Sequence, residues 1–331
     1  MISLLLLCIA ATAGVAFAVS ALAGAALARV SFDRLTPAAQ ARLLLVVALL
    51  PAAASIAAMT AALAPSFGWI ADHCLRAAEP HTHPHICAHH VASLPALPAV
   101  LLAALLLARL AHAALRLAWL GMRARAARRG LARIAQPASD ASLGTPPALQ
   151  VLPFDEPQAF VIGLWRPALF VTRGLLSDAY REHLEPVLAH EHAHLRRRDP
   201  LRRLVSSIAL AFHLPGVAGW FERRLGRAHE LAADAEAAAE VRSPERVARA
   251  LLRLARKQRA RAVALAFHIS AASDAADIGA RVACLLDPGP RRDQPGPALI
   301  AITAAIALAL LAASAEPVHH GIEMFLGLLG A

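Results

Sequence analysis

Four stretches of this chain contain no Asp, Glu, Lys or Arg, namely residues 2–28, 43–71, 91–108 and 297–315. A helix that crosses the ~30 Å hydrocarbon core of a bilayer needs about 20 apolar residues, and each stretch meets or nearly meets that length. The hydrophobic content of 58% agrees with a membrane protein. We therefore expect four transmembrane helices. A cleaved signal peptide is the alternative for the first stretch, but no Lys or Arg precedes its long apolar core.

The arginines predict the topology. Arg29, Arg34 and Arg42 surround the first connection, and an arginine block follows the third stretch, whereas the connection between the second and third stretches holds only Arg76. By the positive-inside rule, the large segment between spans three and four lies in the cytoplasm, and both termini are external. With aromatic residues at only 5%, the net charge of +10 favours a membrane face over direct nucleic-acid binding. The expected location is a bacterial inner membrane, crossed several times.

The segment between spans three and four predicts a small α+β domain in a mainly α membrane protein. Residues 160–163 and 169–172 predict a strand pair, and residues 182–240 predict helices broken near 213–216. Another helix is expected over 243–266. We divide the chain into three spans (1–120), a basic juxtamembrane segment and linker (121–150, with the small, polar and Pro-rich linker at 136–150), a cytoplasmic zincin-like domain (151–286), and a linker, fourth span and external tail (287–331).

Residues 190–194 (HEHAH) contain the candidate metal ligands and the candidate catalytic base. An HExxH sequence on a helix places two histidines one turn apart on one face, where both imidazoles can bind one zinc ion. His190 and His194 are the candidate ligands, and Glu191 is the candidate general base that accepts a proton from water. His192 points away from that face and is expected to be structural.

Catalytic zinc usually has a third protein ligand, and Glu230 is the candidate, since helices joined at the Pro215–Gly216 break would return it to the metal. Asp234, one helical turn later, could hydrogen-bond a ligand histidine and fix its orientation. His229 is an alternative third ligand or a group that stabilises the transition state. The bland alternative is that Glu230 and Asp234 belong to a solvated helix face.

The loop at residues 66–93, expected to be external, is rich in histidine and cysteine. Three interpretations remain open: a loop closed by a disulfide between Cys74 and Cys87, a flexible polar loop, or a loop that binds copper or zinc and senses it. The candidate ligands are His73, Cys74, His81, His83, His85, Cys87, His89 and His90.

Residues 171–176 (VTRGLL), 186–199 (PVLAHEHAHLRRRD) and 230–234 (ELAAD) together resemble the BlaR/MecR-type membrane metallopeptidases. The resemblance covers three spans, the zinc domain and one further span. HExxH followed by ExxxD is also found in CAAX-protease and HtpX-like families, but the LRRRD continuation and the span order favour BlaR/MecR. The resemblance implies a gluzincin in which His190, His194 and Glu230 bind zinc and Glu191 is the base.

This family's best-known members answer an external signal by cytoplasmic proteolysis that inactivates a transcriptional repressor. The expected function is therefore zinc-dependent cleavage of a cytoplasmic protein, such as a winged-helix repressor, in signal-regulated proteolysis. The bilayer and a second copy of the chain, in a homodimer, are further expected partners. The family's β-lactam sensors carry a penicillin-binding domain after the last span; this sequence contains none, so we expect no β-lactam sensing by this chain alone. An HtpX-like quality-control protease and a non-catalytic zinc-binding signalling scaffold are the alternatives.

Overall fold

The computed structural model describes residues 2–29, 31–63, 97–137, 149–165, 167–264, 271–287, 289, 321 and 324. The His- and Cys-rich loop and the proposed fourth span lie outside these residues, as does most of the predicted linker before residue 151. The numbers of helices and strands therefore apply to the described residues.

Three long helices form a bundle: α1 (Ile2–Leu27), α2 (Pro37–Leu63) and α3 (Leu97–Ile134). Each contains a stretch long and apolar enough to cross a membrane, as expected for the first three spans. Small residues let the backbones approach closely, and those buried where α1 meets its neighbours include Ala10, Ala13, Ala58, Ala62 and Ala103. The basic block predicted as a juxtamembrane segment continues α3 without a break, so this helix extends well beyond the thickness of a bilayer core.

Four short strands form one sheet in the order β1-β2-β4-β3. The predicted strand pair is confirmed as β3 (Ala159–Ile162) and β4 (Ala168–Thr172), which are antiparallel with Phe160 opposite Phe170. β1 (Gln136–Pro137) and β2 (Gln150–Leu152) come from the two ends of the segment predicted as a linker. β2 also pairs in parallel with the buried strand β4, so both ends of that segment belong to the sheet.

Five α-helices and two short 3-10 helices (Asp178–Tyr180 and Leu210–Phe212) complete the described part of the domain. The α-helices are α4 (Arg181–Arg197), α5 (Asp199–Ala209), α6 (Pro215–Val241), α7 (Pro244–Ala264) and α8 (Ala271–Leu286). The predicted break near 213–216 is confirmed, with Pro215 in the first turn of α6, where its missing N–H costs nothing. A second break was not predicted. Arg198 adopts a left-handed conformation with φ of 53° and separates α4 from α5.

The α5–α6 hairpin packs along the membrane helices rather than apart from them. At its tip, the buried His213 imidazole lies 3.1 Å from the Ser20 hydroxyl of α1 and 3.0 Å from the Ala48 carbonyl oxygen of α2. The Arg109 guanidinium of α3 donates to the carbonyl groups of Leu210 and Ala211 at the same tip. Since α6 carries Glu230, the bundle directly supports a candidate ligand.

Candidate metal centre

The candidate ligands from two helices come together at one point. On α4, the Nε2 atoms of His190 and His194 are 3.1 Å apart. From α6, the Glu230 carboxylate places Oε2 3.6 Å from His190 Nε2 and Oε1 3.8 Å from His194 Nε2. Thus the structure brings together the three residues that sequence spacing suggested as zinc ligands.

This arrangement fits one divalent ion. With zinc–ligand distances of ~2.0–2.1 Å, neighbouring corners of a tetrahedron are about 3.3 Å apart. The three separations, 3.1, 3.6 and 3.8 Å, lie close to that value. Two imidazoles and one carboxylate also form a donor set typical of catalytic zinc. Among the described residues, His190, His194 and Glu230 are the one group of three histidine, cysteine or acidic side chains that lie close enough together to hold a metal ion.

Each ligand histidine is oriented by its own carboxylate. His190 Nδ1 lies 2.9 Å from Asp234 Oδ1, and His194 Nδ1 lies 2.7 Å from Asp199 Oδ2. A carboxylate that accepts the Nδ1 proton fixes the tautomer in which Nε2 presents its lone pair. Both histidines therefore direct the atom suited to metal binding toward Glu230.

Arginines balance the acidic side of the centre. Arg281 of α8 donates from Nε and Nη2 to the two oxygens of Asp234, at 2.7 and 2.8 Å, and its Nη1 lies 3.3 Å from Glu230 Oε2. Arg203 of α5 donates to Glu230 Oε1 at 2.9 Å. Burial works to raise the pKa of Asp234 and of Glu230, but the contacts with Arg281 and His190 outweigh it and lower the pKa of both carboxyl groups. The two carboxylates are therefore ionised at neutral pH.

The contacts of His190 with Asp234 and Glu230 also change the pKa of this candidate ligand. Burial alone would lower the pKa of His190, but hydrogen bonds with Asp234 and Glu230 outweigh it and raise this pKa to about 9. A proton and a metal ion compete for His190 Nε2, because only the neutral imidazole is a ligand. The electrostatics of the centre thus favour a cation at this point.

Glu191 faces a cavity of about 400 Å³ in front of the ligand cluster. Burial is the main cause of its raised pKa, as is usual for a carboxyl group held away from water. His190 also lines the cavity, and edge-strand residues Ala159 and Phe160 form part of its wall. A general base, a ligand cluster and a strand edge therefore share one accessible space.

The other predicted site residues have different surroundings. His229 is fully buried, is absent from the cavity wall, and has no hydrogen-bond partner among the described residues for either ring nitrogen; burial lowers its pKa to about 4. His192 is half-buried and lies outside the ligand cluster. The candidate sensing residues, from His73 to His90, lie outside the described residues.

Sequence reasoning missed the roles of Asp199 and Arg281. Asp199 closes the LRRRD continuation, but on an unbroken helix a residue five positions after His194 would point elsewhere. The left-handed turn at Arg198 brings it back, and no Gly or Asn marks that turn. Arg281 stands 47 positions after Asp234 and has no local signal.

Membrane-length helices joined to an HExxH site with a distal carboxylate define a membrane peptidase of the metallopeptidase class. The chain belongs to the BlaR1 peptidase M56 family (Peptidase_M56), whose sequence model matches residues 36–285. This match includes the second and third membrane helices and every candidate ligand.

Three relatives are each called a protease HtpX homolog. Those of Acidiphilium cryptum (strain JF-5), Aquifex aeolicus (strain VF5) and Pelotomaculum thermopropionicum are 31%, 37% and 43% identical to this chain. The matches cover 38%, 22% and 20% of this chain, and 55%, 26% and 23% of the respective relatives. The chain thus spans about half or less of the length of these relatives. No solved structure matches it significantly.

Proposed function

We propose that this protein is a zinc-dependent endopeptidase that cleaves a cytoplasmic protein at the membrane surface, its substrate being a transcriptional repressor in signal-regulated proteolysis. The observation that carries the peptidase part is the cluster of His190, His194 and Glu230 at zinc-compatible separations beside Glu191, which is half-buried and lines the cavity. The family match and the resemblance of the motifs support the rest.

A bound zinc ion would supply Lewis-acid chemistry at the scissile carbonyl group. Glu191 would accept a proton from the attacking water and return it to the departing amine. The raised pKa of Glu191 suits both transfers, because an effective acid–base group has a pKa near the working pH. Asp199 and Asp234 hold the two imidazoles in the tautomer that leaves Nε2 available.

The cavity also suggests how a substrate binds. β3 lies at one edge of the described sheet, where an extended peptide can add as a further strand through its main chain. Behind the catalytic groups, Val247, Leu251 and Leu254 of α7 form an apolar wall. We therefore expect an extended substrate with an apolar side chain next to the scissile bond.

The packing of α6 suggests a site near the membrane surface. The helix starts beside Ala48 at the middle of α2, and Ala228 lies in the same buried cluster as Ala41, close to the start of α2. Glu230 follows within one turn. The site therefore lies near the end of α2 that the arginines predict to be cytoplasmic.

The first test measures zinc stoichiometry and casein or self-cleavage on the same purified samples. Glu191→Gln should bind zinc like the wild type and lose cleavage, because the base is not a ligand. Glu230→Gln should lose most of both. Glu185→Gln, which changes an exposed carboxylate on α4, the helix of Glu191, is the control and should lose neither. A Glu230→Gln protein that binds zinc and cleaves normally would rule out this ligand set.

An HtpX-like quality-control role is the second candidate, because the three named relatives are HtpX homologs. New protein N-termini can be compared between cells that express the wild type and cells that express Glu191→Gln. One dominant cleavage in a DNA-binding protein supports signal-regulated proteolysis. Many cleavages spread over membrane proteins would instead support quality control.

A further inference from the structure

A second cavity, of about 570 Å³, lies between the start of α2, the middle of α6 and the end of α8. It shares no lining residue with the cavity in front of Glu191. Three arginines of α6 line it, Arg223, Arg224 and Arg227, so we call it the arginine cavity. Nothing in the peptidase chemistry uses it.

The arginine cavity has an excess of positive charge. Of the described residues in its wall, Asp287 alone is acidic. Arg227 has a loose partner, with its Nε atom 3.6 Å from Asp277 Oδ1. Among the side chains that the structure describes, no carboxylate lies within ion-pair distance of Arg223 or Arg224. Two exposed guanidinium groups are therefore available to a ligand.

Arg224 is held in place without a carboxylate. Its guanidinium carbon lies 4.4 Å from the centre of the Phe32 ring and 5.0 Å from that of Trp220. Stacking on aromatic faces leaves the N–H edge of a guanidinium group free, and such an edge matches the oxygens of a phosphate. The contact thus prepares Arg224 to bind an anion.

Part of the wall of the arginine cavity is apolar and comes from the start of the membrane helix α2 and the residues before it, including Phe32 and Leu44. Leu44 is seven residues into α2, about 10 Å from its start, and packs with Leu27 and Phe32. Arginines and apolar side chains in one cavity match the two parts of a phospholipid, its anionic headgroup and its acyl chains. Basic pockets beside membrane helices on the cytoplasmic side are typical sites for such headgroups.

We propose that the arginine cavity binds an anionic phospholipid, with its phosphate on Arg223 and Arg224 and the start of an acyl chain against the apolar part of the wall. The helices that form the cavity also build the metal centre, because Glu230 lies on α6 and Arg281 on α8. The Arg227–Asp277 contact joins the same two helices. Bound lipid therefore stabilises the helix pair that positions the third ligand.

The test is the melting temperature of the full-length protein in a neutral detergent, after delipidation. Phosphatidylglycerol, phosphatidylcholine with the same acyl chains, and inorganic phosphate are added separately, and no peptidase activity is needed. Phosphatidylglycerol should raise the melting temperature by about 5 °C, and the other two should not. The double variant Arg223→Gln/Arg224→Gln should abolish the rise, and Arg223→Gln, which keeps the aromatic stacking, should halve it.

Arg125→Gln/Arg128→Gln removes the same charge from the exposed basic face of α3 and should keep the full rise. An equal loss in this control would show general attraction to a basic surface and overturn the proposal. The proposal also fails if inorganic phosphate gives the same stabilisation through the same arginines, or if phosphatidylglycerol leaves the wild type unchanged.

Discussion

His194 Nδ1 lies 2.7 Å from Asp199 Oδ2 although the two residues belong to different helices. Arg198, between them, is left-handed, and its N–H donates to the Leu195 carbonyl oxygen to end α4. Burial would raise the pKa of Asp199, but the hydrogen bond with His194 and the charge of Arg197 keep it below its usual range. The ionised and nearly inaccessible Asp199 carboxylate thus orients the candidate ligand His194 without being a metal ligand itself.

Asp199→Asn should weaken zinc binding about 10–100-fold, the usual cost of losing the partner of a ligand histidine. Cleavage at limiting zinc should fall in parallel and recover partly at saturating zinc. Zinc affinity by competition with a chelator measures the effect. Glu240→Gln, which removes an exposed partner of Arg196, is the control and should change affinity less than twofold. Equal effects of both changes would contradict the orienting role of Asp199.

Zinc binding should strengthen as the pH rises toward 9, because His190 has a pKa raised to about 9 and must lose its proton to become a ligand. In the metal-free protein, the pH dependence runs the other way, and the folded state should lose stability as the pH rises. A raised folded-state pKa contributes stability that is complete below the ordinary 6.5 and is lost as pH rises through about 9. Calorimetry in buffers of different ionisation enthalpy should detect proton release on zinc binding at pH 7. No release would show that His190 is already neutral.

Arg281→Gln should destabilise the metal-free protein by about 1.5–3 kcal/mol, because the buried Asp234 would lose two charge-assisted hydrogen bonds and keep only His190 as a charged partner. The change would also remove the contact of Arg281 Nη1 with Glu230 Oε2, so zinc affinity should fall. Denaturant unfolding gives the stability, and chelator competition gives the affinity. Arg246→Gln breaks an exposed pair with Glu185 and should cost less than about 1 kcal/mol. A small loss for Arg281→Gln would mean that water or another cation compensates Asp234.

Local patterns in the sequence were sufficient for several parts of this structure. Each of three features depends on a few adjacent residues: the β3–β4 strand pair, the break before α6, and the one-turn spacing of His190 and His194 on α4. Arg198 was missed because a left-handed arginine has no compositional signal. Arg281 was missed because its contact with Asp234 joins distant helices. The pairing of β1 with β2 likewise depends on packing against β4, so residues 136–150 alone suggested only a linker.

His213→Ala should lower the stability of the whole protein by about 2–4 kcal/mol. The change leaves a cavity beside Phe221 and removes the partner of Ser20 and Ala48, so the hairpin tip loses its contacts with α1 and α2. Thermal unfolding in detergent measures the effect. His112→Ala, at an exposed position of α3, serves as control and should change little. If His213→Ala melts like the wild type, the hairpin is not anchored by this histidine.

Gly174→Ala should damage the substrate side of the site while leaving the ligands in place. The glycine N–H donates to the Phe154 carbonyl oxygen at 2.9 Å, and an added methyl group would collide with the backbone of Asp155. Backbone cannot move aside like a flexible side chain, so we expect a loss of about 1–3 kcal/mol.

The segment that Gly174 contacts leads into β3, and Thr172 fixes its end by accepting the Gln158 N–H. Displacing that segment shifts the strand edge in front of Glu191, so KM for a peptide substrate should rise more than zinc affinity falls. Gly226→Ala is the matched control, because an added methyl group there meets nothing within 4 Å and helical alanine is favoured over glycine. Unchanged KM in a folded Gly174→Ala protein would show that the substrate does not use the β3 edge.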